Sequence, residues 1–338
     1  MNPHWRSFLE SAEGLFDGDS TELISFGDAA GELQAAKQST VVVPLTHLAL
    51  IEATGEDAKS FLHNQLTSDV NHLGNGQAQH AGWCTAKGRM QASFLTWQQD
   101  GRYFLALSGD LQEATQKRLQ MFILRAKVKL SALTNSTIML GISGPQANEA
   151  LADAGLPCPS APLATAQQDA TTVIRLDASR LIVIAPESAM AALWQKLSIK
   201  ARPAGIPAWR WLDIQAAFPL VTLATKEEFV PQMADFEKIG GVSFHKGCYP
   251  GQEVVARTQY LGKVKRHLYR LTSEQTLKAG DVLHSPDNPD QSCGMVMTAA
   301  ASPAGGYEAL AVVQSNFSGN VRLGALDGPK VSATAVNP

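Results

Sequence analysis

An α+β fold, built of two α/β subdomains and a small C-terminal β-barrel, is predicted from three features of this 338-residue chain. From Thr40 onward, short β-branched or apolar runs alternate with stretches of helical periodicity, the pattern of a mostly antiparallel sheet covered by helices. A second alternation of this kind occupies the middle of the chain, from Pro145 to Ala217. After Leu268 only strand-like runs remain, separated by Gly, Pro and Asp turns, as in a small barrel. The expected boundaries are an N-terminal extension over 1–37, a first subdomain over 38–143, a second over 144–262 and the barrel over 263–338.

The first 37 residues mix apolar positions with Glu10, Glu13, Asp17, Asp19, Glu22 and Asp28. They read as an extension with one short helix over 5–15 and a solvated acidic face. Residues 41–43 and 48–51 read as strands. Thr54-Gly55-Glu56-Asp57 opens a helix with its acids where the macrodipole favours them, and Phe61, Leu62, Gln65 and Leu66 form its inner face. Strands at 78–85 and 90–97 flank a Lys87-Gly88 turn, and Asp100-Gly101 signals a type I′ hairpin into 103–107. A helix over 112–124 is expected to turn Leu119, Phe122 and Ile123 inward, followed by strands at 127–130 and 137–142. In the middle, a helix over 145–154 precedes a hairpin of 171–176 and 180–185. The amphipathic helix 188–197 carries Met190, Leu193, Trp194 and Leu197 on one side. A last helix over 209–217 offers Trp209, Leu212 and Ala216 as an apolar face.

Composition narrows the function classes. Hydrophobic residues make up 45% and charged residues 17%, as in a soluble globular protein, and the net charge of -3 argues against broad nucleic-acid binding. No run approaches the roughly 18 apolar residues of a membrane span, and residues 1–13 lack the pattern of a signal peptide. No membrane association and a cytoplasmic location are the default expectations. Cys84, Cys158, Cys248 and Cys293 are far apart, with no metal-binding spacing, so reduced thiols and no resident metal are expected. Phosphate-binding glycine loops and G-x-S-x-G or H-E-x-x-H motifs are absent from the sequence.

The densest chemistry lies in Lys246-Gly247-Cys248-Tyr249-Pro250-Gly251-Gln252-Glu253. Its two glycines permit positive φ or close approach of a ligand, and Pro250 stiffens the turn. A cation beside a thiol favours the thiolate, so Lys246 is a candidate to tune Cys248. From these residues alone, a tight turn with a half-buried cysteine explains the octet as well as a functional thiol does.

The octet resembles the signature K-G-C-Y-x-G-Q-E of the YgfZ-type folate-binding proteins, relatives of the glycine-cleavage T-protein, and Arg257 follows at the usual distance. Residues 55–70 are similar to the family's G-x-D-A-x-x-F-L-x-x-Q-x-T-x-D-V, and Cys84-Thr85-Ala86-Lys87-Gly88-Arg89 to its C-x-x-K-G-R/K hairpin. Taken by themselves, Asp69 is a helix-end residue and Lys87 and Arg89 a solvated turn, although two cations would suit an anionic polyglutamate tail. Residues 209–219 resemble W-x-x-x-x-I-E-A-G-x-P, with two departures: Gln215 replaces a glutamate and Ala217 a glycine. Leu48 stands where some members carry tryptophan.

The resemblance covers nearly everything after Thr40. It implies an aminomethyltransferase-like fold that binds tetrahydrofolate or a one-carbon derivative. It further implies a helper in assembling or repairing iron–sulfur clusters of client enzymes, including those that thiolate tRNA, rather than a classical enzyme. Cys248 would be the functional thiol and Lys246 its tuner. Trp209 would stack on the folate, Leu48 would supply an aliphatic wall, and Gln215 would meet the pterin edge without a charge. Tyr249, Gly251, Gln252, Glu253 and Arg257 would complete the binding loop. Iron–sulfur client or assembly proteins are the expected partners. Direct tRNA binding is not expected, the cluster Lys263, Lys265, Arg266, His267 and Arg270 reading as a solvated strand face. Two alternatives stand beside this reading. One is a folate-dependent aminomethyl or one-carbon transferase using Asp69 or Asp213 as its positioning acid. The other is a docking protein with a decayed folate site.

Overall fold

The β-branched run after Thr40 becomes the strand Val41–Pro44, which pairs with Thr137–Ser143 rather than with its nearest neighbours in sequence. A computed structural model describes residues 1–336 and divides them into two units. The first unit comprises Met1–Ala58, Leu73–Gln79 and Leu95–Trp209, and the second Lys59–His72, His80–Phe94 and the described residues from Arg210 onward.

In the first unit, a six-stranded sheet runs in the order Thr165–Gln168, Thr171–Arg175, Arg180–Pro186, Thr137–Ser143, Val41–Pro44 and Arg202–Pro203. All its pairings are antiparallel except the last. Side chains alternate between faces with period two. Leu140, Ile142, Leu181 and Val183 join one core with Met190, Trp194 and Leu197 of the helix Glu187–Leu197. Gly141 points the other way, and a Cβ there would come within 2.3 Å of the Trp209 ring.

The N-terminal residues belong to this core. The helix Pro3–Ser11 buries Trp5 and Leu9, and the Trp5 ring meets Trp194 edge-on at 6.3 Å. Buried Glu32 accepts from the Phe26 and Gly205 amides, and Asp28 pairs with Arg202. A short helix was expected here, but its amphipathic face serves the sheet.

Also in this unit, Leu48–Thr54 lies between Arg102–Ser108 and Lys129–Ala132. Asp100 and Gly101 both take positive φ, giving the expected hairpin geometry. The helix expected over 112–124 stops at Gln120. Beyond it the chain turns, with Leu124 at φ +47°, and Phe122 is 45% exposed instead of inward. Helical spacing assigns an inner face only while the helix continues.

The second unit contains the C-terminal barrel. Arg266–Ser273 pairs with Tyr307–Gln314, then the order runs through Gly294–Ala301, Val282–His284, Val321–Leu323 and Lys330–Ala335 back to the first strand. Leu271, Leu283, Cys293, Val296, Ala309, Ala311, Val313 and Val331 fill its interior. Ala309, Ala311 and Val313 show why the closed core works: alternate positions of one strand all point inside. Among the described residues, no helix is long and apolar enough to cross a membrane.

Candidate functional site

The octet lies in the second unit and is fixed there from both ends. The helix Ala58–Gln65 leaves carbonyls without amide partners in its last turn, as every helix does. Lys246, only 8% exposed, donates from Nζ to the carbonyls of His63, Leu66 (2.5 Å) and Ser68 (3.0 Å). Three acceptors use all three N–H bonds of the ammonium, and the helix C-terminus favours a cation. Burial brings the Lys246 ammonium down from 10.5 to about 8, with Asp69 opposing the shift. Its charge is thus committed to the 63–68 backbone, leaving no N–H to point at Cys248.

Asp69 anchors the same corner. Its carboxylate meets His63 Nδ1 at 3.2 Å and His72 Nδ1 at 3.0 Å, and accepts from the Asn71 amide at 2.9 Å. Burial pushes its carboxyl up, but the Asn71 amide and the His72 and His63 rings outweigh that and hold it low. Burial, then Lys246, lower the His63 ring, against the pull of Asp69. Thr67 completes the clamp: its hydroxyl donates to the Gly241 carbonyl at 2.5 Å and accepts from the Gly82 amide at 2.7 Å. Its own carbonyl accepts from the Ser243 amide at 2.9 Å.

The other end is held by glycines. Gly251 has φ +82°, and a Cβ there would lie 2.3 Å from the Thr85 carbonyl oxygen and 2.7 Å from Gly88 Cα. Gly88, at φ +71°, faces Val254 in return. The Lys87-Gly88-Arg89 turn and the octet therefore pack backbone to backbone, which no side chain at 251 permits. Arg89 donates to the Glu228 carbonyl. The helix Gln252–Tyr260, absent from the expected elements, starts directly after Gly251. Gln252 returns its amide to the Lys246 carbonyl at 3.3 Å, and Gln232 donates to the Val255 carbonyl at 2.7 Å.

Between these anchors the side chains diverge. Tyr249 is buried, its ring centroid 5.1 Å from Lys246 Nζ, and burial raises its hydroxyl. Cys84 is buried and its thiol pushed up to about 12. Cys248 is exposed, with a free thiol. Gly247 does not take positive φ, and a Cβ there would find nothing nearer than His63 Nε2 at 3.7 Å. Glu253 and Arg257 are exposed on the new helix.

The remaining expected residues are placed elsewhere. Trp209 belongs to the first unit and is 2% exposed, packed on Gly141 with the Arg180 guanidinium 5.7 Å from its ring centroid. Stacking a ligand on this indole requires the core to open. Leu48, half-buried in the first unit, lines a small cavity with Leu45, Ile138 and Met139. Gln215 is in the second unit, where its Nε2 donates to Glu308 Oε2 at 2.7 Å. Glu308 also accepts from Trp211 Nε1 at 3.0 Å and Ser302 Oγ at 2.6 Å. Burial raises the Glu308 carboxyl, but the Ser302, Trp211 and Gln215 hydrogen bonds hold it below its usual range. Arg270 donates to the Gln215 carbonyl at 2.9 Å and His267 meets Asp235 at 2.9 Å, so the basic cluster read as a strand face is divided.

Glu308 escaped the sequence reading because a lone acid in a barrel strand has no motif. Gln91 did as well, whereas Gln232 lies in Phe229-Val230-Pro231-Gln232, which resembles the family's I-P-Q. Gln91 and Gln232 are buried, and the Oε1 of each has no hydrogen-bond partner in the protein. Buried amide oxygens call for N–H donors. The N–H groups of a reduced pterin are donors of that kind. Among the described residues, no three His, Cys, Asp or Glu side chains gather to hold a metal.

Comparison with known proteins adds to this geometry. Residues 21–239 match the family described as the GCVT N-terminal domain. The tRNA-modifying protein YgfZ of Escherichia coli O157:H7 is 31% identical over 240 residues, covering 70% of this chain and 73% of that one. Its namesake from Klebsiella pneumoniae is 29% identical over 253 residues, covering 74% and 77%. The glycine cleavage system aminomethyltransferase T from Bartonella henselae superposes with a TM-score of 0.83 at 20% identity, over 99% of this chain and 96% of its own. At that identity the likeness speaks for the fold, which is the aminomethyltransferase-like fold expected from the motifs.

Proposed function

Since the chain belongs to the GCVT family and, within it, to the YgfZ-type proteins, we propose that it binds tetrahydrofolate or a one-carbon derivative and assists assembly or repair of iron–sulfur clusters in client enzymes, including tRNA-thiolating ones. The observation that carries this reading is the exposed Cys248 thiol on a loop fixed at both ends, by Lys246 and by Gly251. A thiol on a rigid loop meets a partner without a large ordering cost. Lys246 acts as a positioning residue, holding the loop against the 63–68 backbone. Gln252 ties the loop to its own start, and Glu253 and Arg257 flank it. Gly247 keeps the approach to Cys248 open, since neither φ nor packing demands glycine there. Gln91 and Gln232 would hold the pterin. Bound folate would supply a one-carbon carrier.

Two measurements test the proposal. In a deletion strain, Cys248→Ser is expected to abolish recovery of thiolated tRNA nucleosides, read by mass spectrometry, while the protein accumulates normally. Full recovery overturns the role of Cys248. In calorimetric titration with tetrahydrofolate, Gln232→Leu removes an acceptor and is expected to weaken binding about tenfold. No heat from the unaltered protein at millimolar folate overturns the cofactor assignment.

A further inference from the structure

A groove in the second unit has a volume of about 830 Å³ and brings together residues far apart in sequence. Lys87 and Arg89 come from the turn packed on Gly251, Arg257 from the helix after the octet, Lys263 and Lys265 from the following link, and Arg266 from the first barrel strand. Against these six cations the groove holds one carboxylate, Glu253. Among the described residues none of the six forms an ion pair. Lys87, Arg257, Lys263 and Lys265 are exposed. In a chain of net charge -3, this is a marked segregation of positive charge.

Unpaired cations of like sign repel one another, and lining a groove with them costs stability unless an anion is met there. A single anionic group is too small for a groove of this extent. A polyanion running along it meets the cations in succession, and the Arg forks suit phosphate oxygens. The groove is not uniformly polar, because Val230, Met233, Val254 and Leu261 also line it. Leu261 is 83% exposed. Apolar surface beside a row of cations is where unstacked nucleobases rest when the backbone is bound electrostatically. An acidic peptide would use the cations and leave that surface bare.

We infer that this groove binds a single-stranded segment of nucleic acid through its phosphodiester backbone, with bases resting on Leu261 and Val254. Nucleic-acid binding is a readout separate from folate titration and from the Cys248 measurement, so the two readings fail independently. The probes are a fluorescently labelled transfer-RNA transcript and a DNA oligonucleotide of equal length, titrated with the full chain and read by anisotropy. Binding is expected in the micromolar range at about 50 mM salt, with log K falling at a slope of about -4 against log salt for six phosphate contacts. The variant Lys87→Glu/Lys263→Glu/Lys265→Glu is expected to bind at least about tenfold more weakly and to lose about two units of that slope. A control of equal charge change, Lys37→Glu/Lys117→Glu/Lys129→Glu, alters exposed positions that do not line the groove and is expected to bind within about twofold of the unaltered protein. Thermal melting confirms folding of both, and the milder Arg257→Ala gives the same direction if the triple variant is unstable. Preference between the two probes identifies the RNA or DNA source. No binding of either probe at about 100 μM protein, the upper end of non-specific affinities, overturns the inference. So does an equal loss in the control, and so does displacement by poly-glutamate at matched charge, which would make the occupant an acidic chain.

Discussion

The two glycines flanking Cys248 are alike in sequence and opposite in structure, so replacing each with alanine separates their roles. At Gly251, φ of +82° costs an L-residue about 1–2 kcal/mol, of which reduced freedom of the unfolded chain returns about 0.4–1. The new Cβ would stand 2.3 Å from the Thr85 oxygen and 2.7 Å from Gly88 Cα, both backbone atoms, so the turn or the helix must move. Overpacking of this kind costs about 1–3 kcal/mol, giving a net loss of about 2–4 for Gly251→Ala. At Gly247 the nearest atom is 3.7 Å away and φ is ordinary, so Gly247→Ala is expected to stay within about 0.5 kcal/mol. Urea unfolding followed by tryptophan fluorescence measures both, and hydrogen exchange over residues 245–260 localises the effect. Comparable losses for the two variants, or an unchanged Gly251→Ala, would refute the backbone-packing account of the loop.

Three further outcomes are expected. Lys246→Met leaves the His63, Leu66 and Ser68 carbonyls without their donor and is expected to cost about 2–4 kcal/mol at pH 7 in chemical denaturation. The folded state holds the Lys246 proton to about 8 and the unfolded chain to 10.5, so the cost of burying its charge is present below about pH 8. It is relieved as pH rises from 8 towards 10.5, and the stability gap over Lys246→Met is expected to widen in that window. Ala217 takes φ +54° just after the helix Ile206–Gln215, where a left-handed residue closes the turn. Ala217→Gly is expected to stabilise by about 0.5–1 kcal/mol, read as a raised melting temperature. Glu308 is held below its usual range by Ser302, Trp211 and Gln215, so its stabilising effect is present above pH 4.5 and is lost as pH falls through its lower folded value. Glu308→Gln is expected to be less stable than the unaltered protein at pH 7 and to approach it in acid unfolding.

Much of the fold was legible because it is written in local periods. Apolar and β-branched runs placed strands at 41–43 and 90–97, which the structure extends to 41–44 and 90–99, and Asp100-Gly101 specified its hairpin. The failure at Phe122 marks where locality ends: nothing in the 112–124 pattern says that the helix stops at Gln120. The motifs of the site were legible as well, from residues 55–70 through Lys87-Gly88-Arg89 to the octet. What the sequence by itself determined was therefore most of the strands and helices, the family and the stretch that carries the thiol. Only the tertiary structure decided what each residue in that stretch does. It gave Lys246 to three carbonyls of the 63–68 segment, distinguished Gly251 from Gly247, buried Trp209 on Gly141 and paired Gln215 with Glu308. It also gathered six cations, from positions as distant as Lys87 and Arg266, along one groove. The physical reason is that burial, hydrogen-bond partners and summed charge depend on distances between residues far apart in the chain, and those distances exist only once it has folded.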